Sequence, residues 1–185
     1  MRVIAGTAGG LKLKAPGGLA TRPTSDRVRE ALFAILGPTV EAANFLDLFA
    51  GSGAVGIEAL SRGASRAVFV ERSRYTQEII LENLLKTSLG ARAQLLRLPA
   101  ERAIVVLAKA REEFQLVFLD PPYNKALVPK MMELAVGSNL IANGGLVIAE
   151  TLSKEELPAS VGPLNLYRRA EYGQTALNFY KNEDV

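Results

Sequence analysis

Phe45-Leu46-Asp47-Leu48-Phe49-Ala50-Gly51-Ser52-Gly53-Ala54-Val55-Gly56 decides the fold of this 185-residue chain. Phe45–Phe49 is apolar except for Asp47 and reads as a buried strand. Gly51, Gly53 and Gly56 follow with G-x-G-x-x-G spacing and lead into a helical segment, Ala54–Ser61, closed by Gly63. Glycines so spaced allow a tight strand-to-helix turn and let a ligand approach the backbone closely. Taken alone, the match also suits an ordinary tight turn.

Outward from this unit the alternation repeats. Strands are expected at Ala67–Glu71, Gln94–Leu98, Gln115–Asp120 and Gly145–Thr151. Helices are expected at Arg74–Lys86, capped by Ser73, at Glu101–Ala110 and at Ala126–Val136. Apolar strands that each precede a helix predict a parallel sheet covered on both faces, an α/β fold. Asn165–Glu171 and Thr175–Lys181, around Gly173, predict a closing antiparallel hairpin. Upstream, residues 2–5 and 11–14 read as a β-hairpin about the turn-rich Gly6-Thr7-Ala8-Gly9-Gly10. A connection over 15–23 leads to a helix capped by Thr24 or Ser25. It carries Val28, Ala31, Leu32, Ile35 and Leu36 on one face and stops at Gly37-Pro38. The expected division is a hairpin-and-helix arm, 1–37, and an α/β body, 38–185.

Composition limits the chemistry. There is no cysteine and no histidine, so disulfides, thiolate metal sites and imidazole bases are excluded, and no metal is expected. No apolar run reaches the roughly 18 residues of a membrane span, and the first residues lack the apolar stretch of a secretory signal. A cytosolic location without membrane partners is expected. The net charge of +3 is unevenly spread: residues 1–30 hold six basic against two acidic groups, and the rest sixteen against seventeen. Arg2, Lys12, Lys14, Arg22 and Arg27 therefore mark a candidate polyanion-binding arm. A solvated basic face is the plainer alternative.

Two carboxylates frame the glycine loop. Glu71 lies twenty residues beyond Gly51 at the end of the next strand, where an acid can bind a ribose diol. Asp47 stands before the loop and would repel a pyrophosphate, which disfavours a dinucleotide. S-adenosylmethionine carries an ammonium and a sulfonium but no phosphate, so the same acid favours it.

Asp120-Pro121-Pro122-Tyr123, directly after an apolar strand, is the sharpest signal in the chain. The prolines end the strand and fix the backbone. The amine of a nucleobase is a poor nucleophile because its lone pair is delocalised into the ring. Asp120 and a main-chain carbonyl of the proline pair, assigned to Pro122, are two acceptors able to grip its hydrogens and aim the lone pair at an electrophile. Tyr123 offers a stacking face. No histidine or metal is required.

In this order, Asp47…Gly51-Ser52-Gly53, Glu71 and Asp120-Pro121-Pro122-Tyr123 resemble the amino-directed S-adenosylmethionine methyltransferases. The arm is more specific. Arg2-Val3-Ile4-Ala5-Gly6, Thr21-Arg22-Pro23-Thr24-Ser25-Asp26-Arg27-Val28-Arg29-Glu30-Ala31-Leu32-Phe33 and Gly56-Ile57-Glu58-Ala59-Leu60-Ser61-Arg62-Gly63-Ala64 resemble the RsmD family of bacterial small-subunit rRNA guanine-N2 methyltransferases. The resemblance spans residues 2 to about 180. It implies a Rossmann-like methyltransferase fold with a mostly parallel seven-stranded sheet and an antiparallel last strand, and an arm used on RNA. S-adenosyl-L-methionine would lie over Phe49, Ala50, Gly51, Ser52 and Gly53, with Glu71 on its ribose and Asp120 near its methyl. Where relatives carry Asp or Asn after the third strand, this chain has Leu98-Pro99-Ala100-Glu101. Adenine contact then falls to the Ala100 N–H, since Pro99 has none. The implied partner of a monomeric enzyme is 16S rRNA or the assembling small ribosomal subunit. Arg22, Arg27 and Arg29 are expected to contact phosphates or order the arm, unless they are surface groups. A DNA adenine-N6 methyltransferase would also use the tetrad, but it needs a larger target-recognition region. A non-catalytic RNA-binding protein and an NAD-dependent oxidoreductase are further alternatives, both disfavoured by the tetrad.

Overall fold

The glycine-rich turn joins β1 (Asn44–Asp47) to α2 (Ala54–Ser61), as its spacing predicts. A computed structural model describes residues 1–17, 25–122 and 127–183. Before β1 comes α1 (Asp26–Leu36), whose Ser25 cap accepts from the Val28 N–H and which Gly37 closes. After α2 follow β2 (Arg66–Val70), α3 (Arg74–Thr87, capped by Ser73), β3 (Ala93–Leu96), α4 (Ala100–Lys109), β4 (Phe114–Leu119) and α5 (Leu127–Gly137). Four strands complete the sheet: β5 (Ile141–Leu152), β6 (Ser160–Val161), β7 (Leu164–Tyr172) and β8 (Thr175–Asn182).

The strands lie in the order β3-β2-β1-β4-β5-β8-β7-β6. The first five are parallel, and β8 inserts antiparallel between β5 and β7. Seven strands were expected. The eighth, β6, is a two-residue edge strand turned back by Gly162-Pro163, too short to carry a period-two signal. Alternate residues point to opposite faces. Phe45, Phe69, Phe118, Ile148 and Phe179 share one core with α1, α2 and α3. Leu46, Val68, Val117, Val147 and Tyr180 share the other with α4 and α5. At Gly56 an added Cβ would lie 2.4 Å from the Phe69 ring, so the third loop glycine sets how closely α2 packs on β2.

Every residue of α2 is buried. A helix buried all round needs cover on both sides. The sheet supplies one cover and the arm the other, with Val3, Ala8 and Leu13 in the same core as Ile57 and Leu60. The expected hairpin is reduced to a single antiparallel bridge, Arg2↔Lys12, flanked by Val3 N–H to Leu11 O (2.9 Å) and Leu13 N–H to Met1 O (3.1 Å). The reason is competition for backbone donors. Ile4 and Ala5 N–H donate to Glu58 at 2.7 and 3.0 Å, and Ala8 N–H donates to Ser61 Oγ at 2.9 Å. Those groups hold the arm to α2 and are lost to the ladder.

Arg29 is fully buried, which removes the surface reading for it. Its guanidinium lies 3.7 Å from Glu58 and 3.0 Å from Asp26, and it donates to the Arg2 carbonyl. Arg62 closes the network on Glu58 at 2.7 Å.

Candidate active site

The carboxyl ends of β1, β2, β4 and β5 open into a cavity of about 670 Å³, where open α/β sheets bind ligands. Asp47, Phe49, Ala50, Gly51, Ser52, Glu71, Ala100, Asp120 and Pro122 all line it, together with Pro121. Gly53 is not in the wall. It adopts a left-handed φ of 79° as the N-cap of α2 and so shapes the turn from behind. Tyr123 and Arg22 lie outside the described residues.

Asp47 ends β1 and is 1% exposed. Among the described residues neither carboxylate oxygen accepts a well-formed hydrogen bond; the Gly56 and Phe49 N–H groups lie near it without reaching that geometry. Burial raises its pKa to about 7; the Gly56 and Phe49 N–H groups oppose the shift, and the Glu71 charge adds to it. A buried, unpaired carboxylate in a cavity wall is a counter-charge for a cationic ligand.

Glu71 follows β2 and is half-buried. One oxygen accepts from the Gly51 N–H at 3.1 Å and the other from the Ser73 N–H at 2.7 Å. It therefore joins the glycine loop to the start of α3, and each oxygen keeps a lone pair for a hydroxyl donor. Ala100 is the first residue of α4, behind Pro99. Its N–H lies outside the intrahelical ladder, as first-turn donors do.

Asp120 is half-buried at the end of β4, on the same wall as Pro121 and Pro122. One neighbour escaped the sequence reading. Glu150 on β5 also lines the cavity. The β4–β5 register pairs Leu119 with Ala149, so the next step places Glu150 level with Asp120. Asp120 directly follows β4, whereas Glu150 lies two residues inside the end of β5, so the register of the pair brings the two acids together. Asn83 was missed too. From α3 its amide donates to Ser52 O (2.9 Å) and Lys14 O (3.0 Å) and accepts from the Lys14 N–H (2.8 Å). This buried amide ties the arm to the glycine loop.

Of the arm's basic residues, Arg27 reaches the cavity wall. Arg2 and Lys12 are exposed and face each other across the bridge, while Lys14 pairs with Glu82 at 2.7 Å. Among the described residues no group of acids could hold a metal ion, and no helix is long and apolar enough to cross a membrane.

Comparison with known proteins places this geometry. A family model described as "Conserved hypothetical protein 95" matches residues 1–181. The "Putative rRNA methyltransferase YlbH" of Bacillus subtilis is 41% identical over 181 residues, covering 98% of each chain. The "Ribosomal RNA small subunit methyltransferase D" of Escherichia coli K12 is 35% identical over 183 residues, covering 99% of this chain and 90% of that one. A solved structure, "Putative methyltransferase yhhF from Escherichia coli", superposes with a TM-score of 0.87 at 34% identity, covering 100% and 99% of the two chains. The mostly parallel sheet with antiparallel C-terminal strands is the fold of the S-adenosylmethionine-dependent methyltransferases.

Proposed function

The chain belongs to the Conserved hypothetical protein 95 family, the RsmD family of methyltransferases, and on that premise we propose that it methylates the N2 amine of a guanine in 16S ribosomal RNA with S-adenosylmethionine as donor. The observation that carries this is one cavity holding both an unpaired buried carboxylate, Asp47, and the Asp120-Pro121-Pro122 wall.

The donor fits the residues present. Asp47 would meet its ammonium, Glu71 its ribose diol, and the Ala100 N–H its adenine. When bound, it supplies a methyl carbon that leaves without its bonding electrons, the C–S pair remaining on sulfur as the amine lone pair forms the N–C bond. The chain's own residues do the rest. Asp120 accepts one N2 hydrogen bond and a proline-pair carbonyl the other, which localises the lone pair. Asp120 is then placed to take the proton that the methylated nitrogen must lose. Fixed acceptors in a half-dry wall need no reorganisation during the reaction. Arg27 at the cavity and the Arg2–Lys12 pair on the arm supply positive charge for the RNA backbone. Like charges facing across a bridge are unfavourable until an anion lies between them.

The test uses 16S rRNA and small subunits from a strain lacking the gene, incubated with methyl-labelled donor. Nucleoside mass spectrometry should show N2-methylguanosine. Asp120→Ala should lower the transfer rate by at least about 100-fold, the loss seen for a preorganised acceptor or donor, with an unchanged melting temperature. Label appearing only in N6-methyladenosine would replace this reading with the adenine one.

A further inference from the structure

Glu150 has no part in gripping the reacting amine, yet it stands beside the residue that does. We infer that Glu150 reads the target base, accepting a hydrogen bond from guanine N1–H, and so selects guanine over every other amine-bearing base. This rests on the guanine methylation proposed above.

The placement follows from the sheet. β4 and β5 are parallel, with Phe118↔Ile148 and Leu119↔Ala149 in register. Phe118 and Ile148 belong to the core on the arm side of the sheet. Two residues on along β5, Glu150 returns to that side, and Asp120, the residue after β4, lines the same cavity. Neighbouring strands lie about 4.8 Å apart, so two level carboxylates can address adjacent positions on one flat ring. Both are half-buried, and both line the cavity that holds the unpaired Asp47. Glu150's segment is also pinned from β8. The fully buried Asn178 donates to Ala149 O at 3.2 Å and Thr151 Oγ1 at 3.0 Å, on either side of Glu150. Arg169 in turn donates to Asn178 Oδ1 at 2.9 Å. A side chain meant to discriminate needs such support.

The chemistry makes the choice of base. An ionised carboxylate only accepts hydrogen bonds. In adenine and cytosine the ring nitrogen beside the exocyclic amine is a lone-pair acceptor. In guanine it is an N–H donor. With Asp120 on the amine, a carboxylate at the neighbouring position is satisfied by guanine and repelled by the other two. Lone pairs set against each other repel, and a contact that opposes the wrong base discriminates as well as one that favours the right base.

The experiment has two stages. First, the wild-type enzyme methylates 16S rRNA and the modified guanine is mapped by mass spectrometry. Second, that nucleotide is replaced by 2-aminopurine, which keeps the N2 amine but presents a lone pair at N1. The wild type should prefer guanine by roughly 10- to 100-fold in kcat/KM. Glu150→Gln, whose amide can turn to donate, should bring that ratio close to one. Glu150→Asp, which keeps the acceptor but withdraws it, should remain selective at a lower rate. A change in donor binding would alter both substrates' kcat/KM alike, so the guanine to 2-aminopurine ratio isolates the reading of the base. A guanine preference unchanged in Glu150→Gln overturns the assignment, as does loss of preference in Glu150→Asp. Failure of the wild type to methylate any guanine in the first stage overturns the parent reading as well, and does so before a variant is made.

Discussion

On the function proposed above, Asp47 trades stability for binding. Its carboxyl titrates near 3.8 when exposed and near 7 in the folded, ligand-free protein. Between those values the unfolded chain has lost the proton and the native one keeps it. The native state therefore binds more protons, and wild-type stability falls as pH rises from about 4 to 7. Asp47→Asn has no such fall. Three pKa units correspond to about 4 kcal/mol, and an unpaired buried amide offsets about 1–3 of that. We expect Asp47→Asn to melt higher than wild type at pH 8, with the gap closing at pH 4, by calorimetry without ligand. Binding has the opposite dependence. The wild type should bind S-adenosylhomocysteine more tightly as pH rises through 7, whereas Asp47→Asn should bind weakly with no such rise. Equal affinities at pH 8 would remove Asp47 from the ammonium site.

At the scale of elements, α2 and the arm depend on each other. Glu58 is the joint: it is fully buried, accepts from Ile4, Ala5 and Arg62, and faces the buried Arg29. Removing it leaves the buried Arg29 charged and without its one fully buried counter-charge, which costs about 3–5 kcal/mol. Glu58→Ala should lose that much in urea unfolding. Arg62→Gln, on a side chain 23% exposed, should lose under about 1 kcal/mol. Gly6→Ala attacks the same joint sterically, because its Cβ would lie 1.9 Å from the Ser61 carbonyl oxygen at a φ of +82°. Near-wild-type stability in Glu58→Ala would show that the arm is only loosely attached. This joint explains what could and could not be read beforehand. The α/β alternation was legible because apolar runs, caps and glycines act locally, and α2 and the caps Ser25 and Ser73 are found where expected. The arm's antiparallel pairing was legible, but its reduction to one bridge was not, because it depends on contacts with Glu58 and Ser61 more than fifty residues away. The placement of Asp47, Glu71 and Asp120 on one cavity wall was legible because each lies at or just past the end of a strand at the sheet's carboxyl edge. Glu150 and Asn83 were not, since their roles arise from register and from a contact across the fold.

For the whole molecule, the charge asymmetry of the sequence takes a different form in three dimensions. Six basic residues mark the first thirty positions. Arg29 is consumed in the core and Lys14 is paired with Glu82. Of those described, Arg2, Lys12 and Arg27 remain exposed. Arg2 and Lys12 form the bridge pair whose flanking bonds run from Val3 to Leu11 and from Leu13 to Met1. That pattern makes them a non-hydrogen-bonded pair, the kind with the closer side chains. On the function proposed above, two adjacent cations on a segment tied to the glycine loop through Asn83 would couple RNA docking to the cavity mechanically. Each phosphate contact contributes roughly 0.7–0.9 to the slope of log K against log salt. The double variant Arg2→Gln/Lys12→Gln should therefore bind 16S rRNA with a slope shallower by about 1.5, measured by filter binding from 50 to 300 mM salt. Lys14→Gln should leave the slope nearly unchanged, because its charge is already answered by Glu82. Glu58, not the surface charge, sets fold stability, so the double variant should melt within about 1 °C of wild type. An unchanged slope in the double variant would move the RNA path away from the bridge, toward the Arg27 side of the cavity.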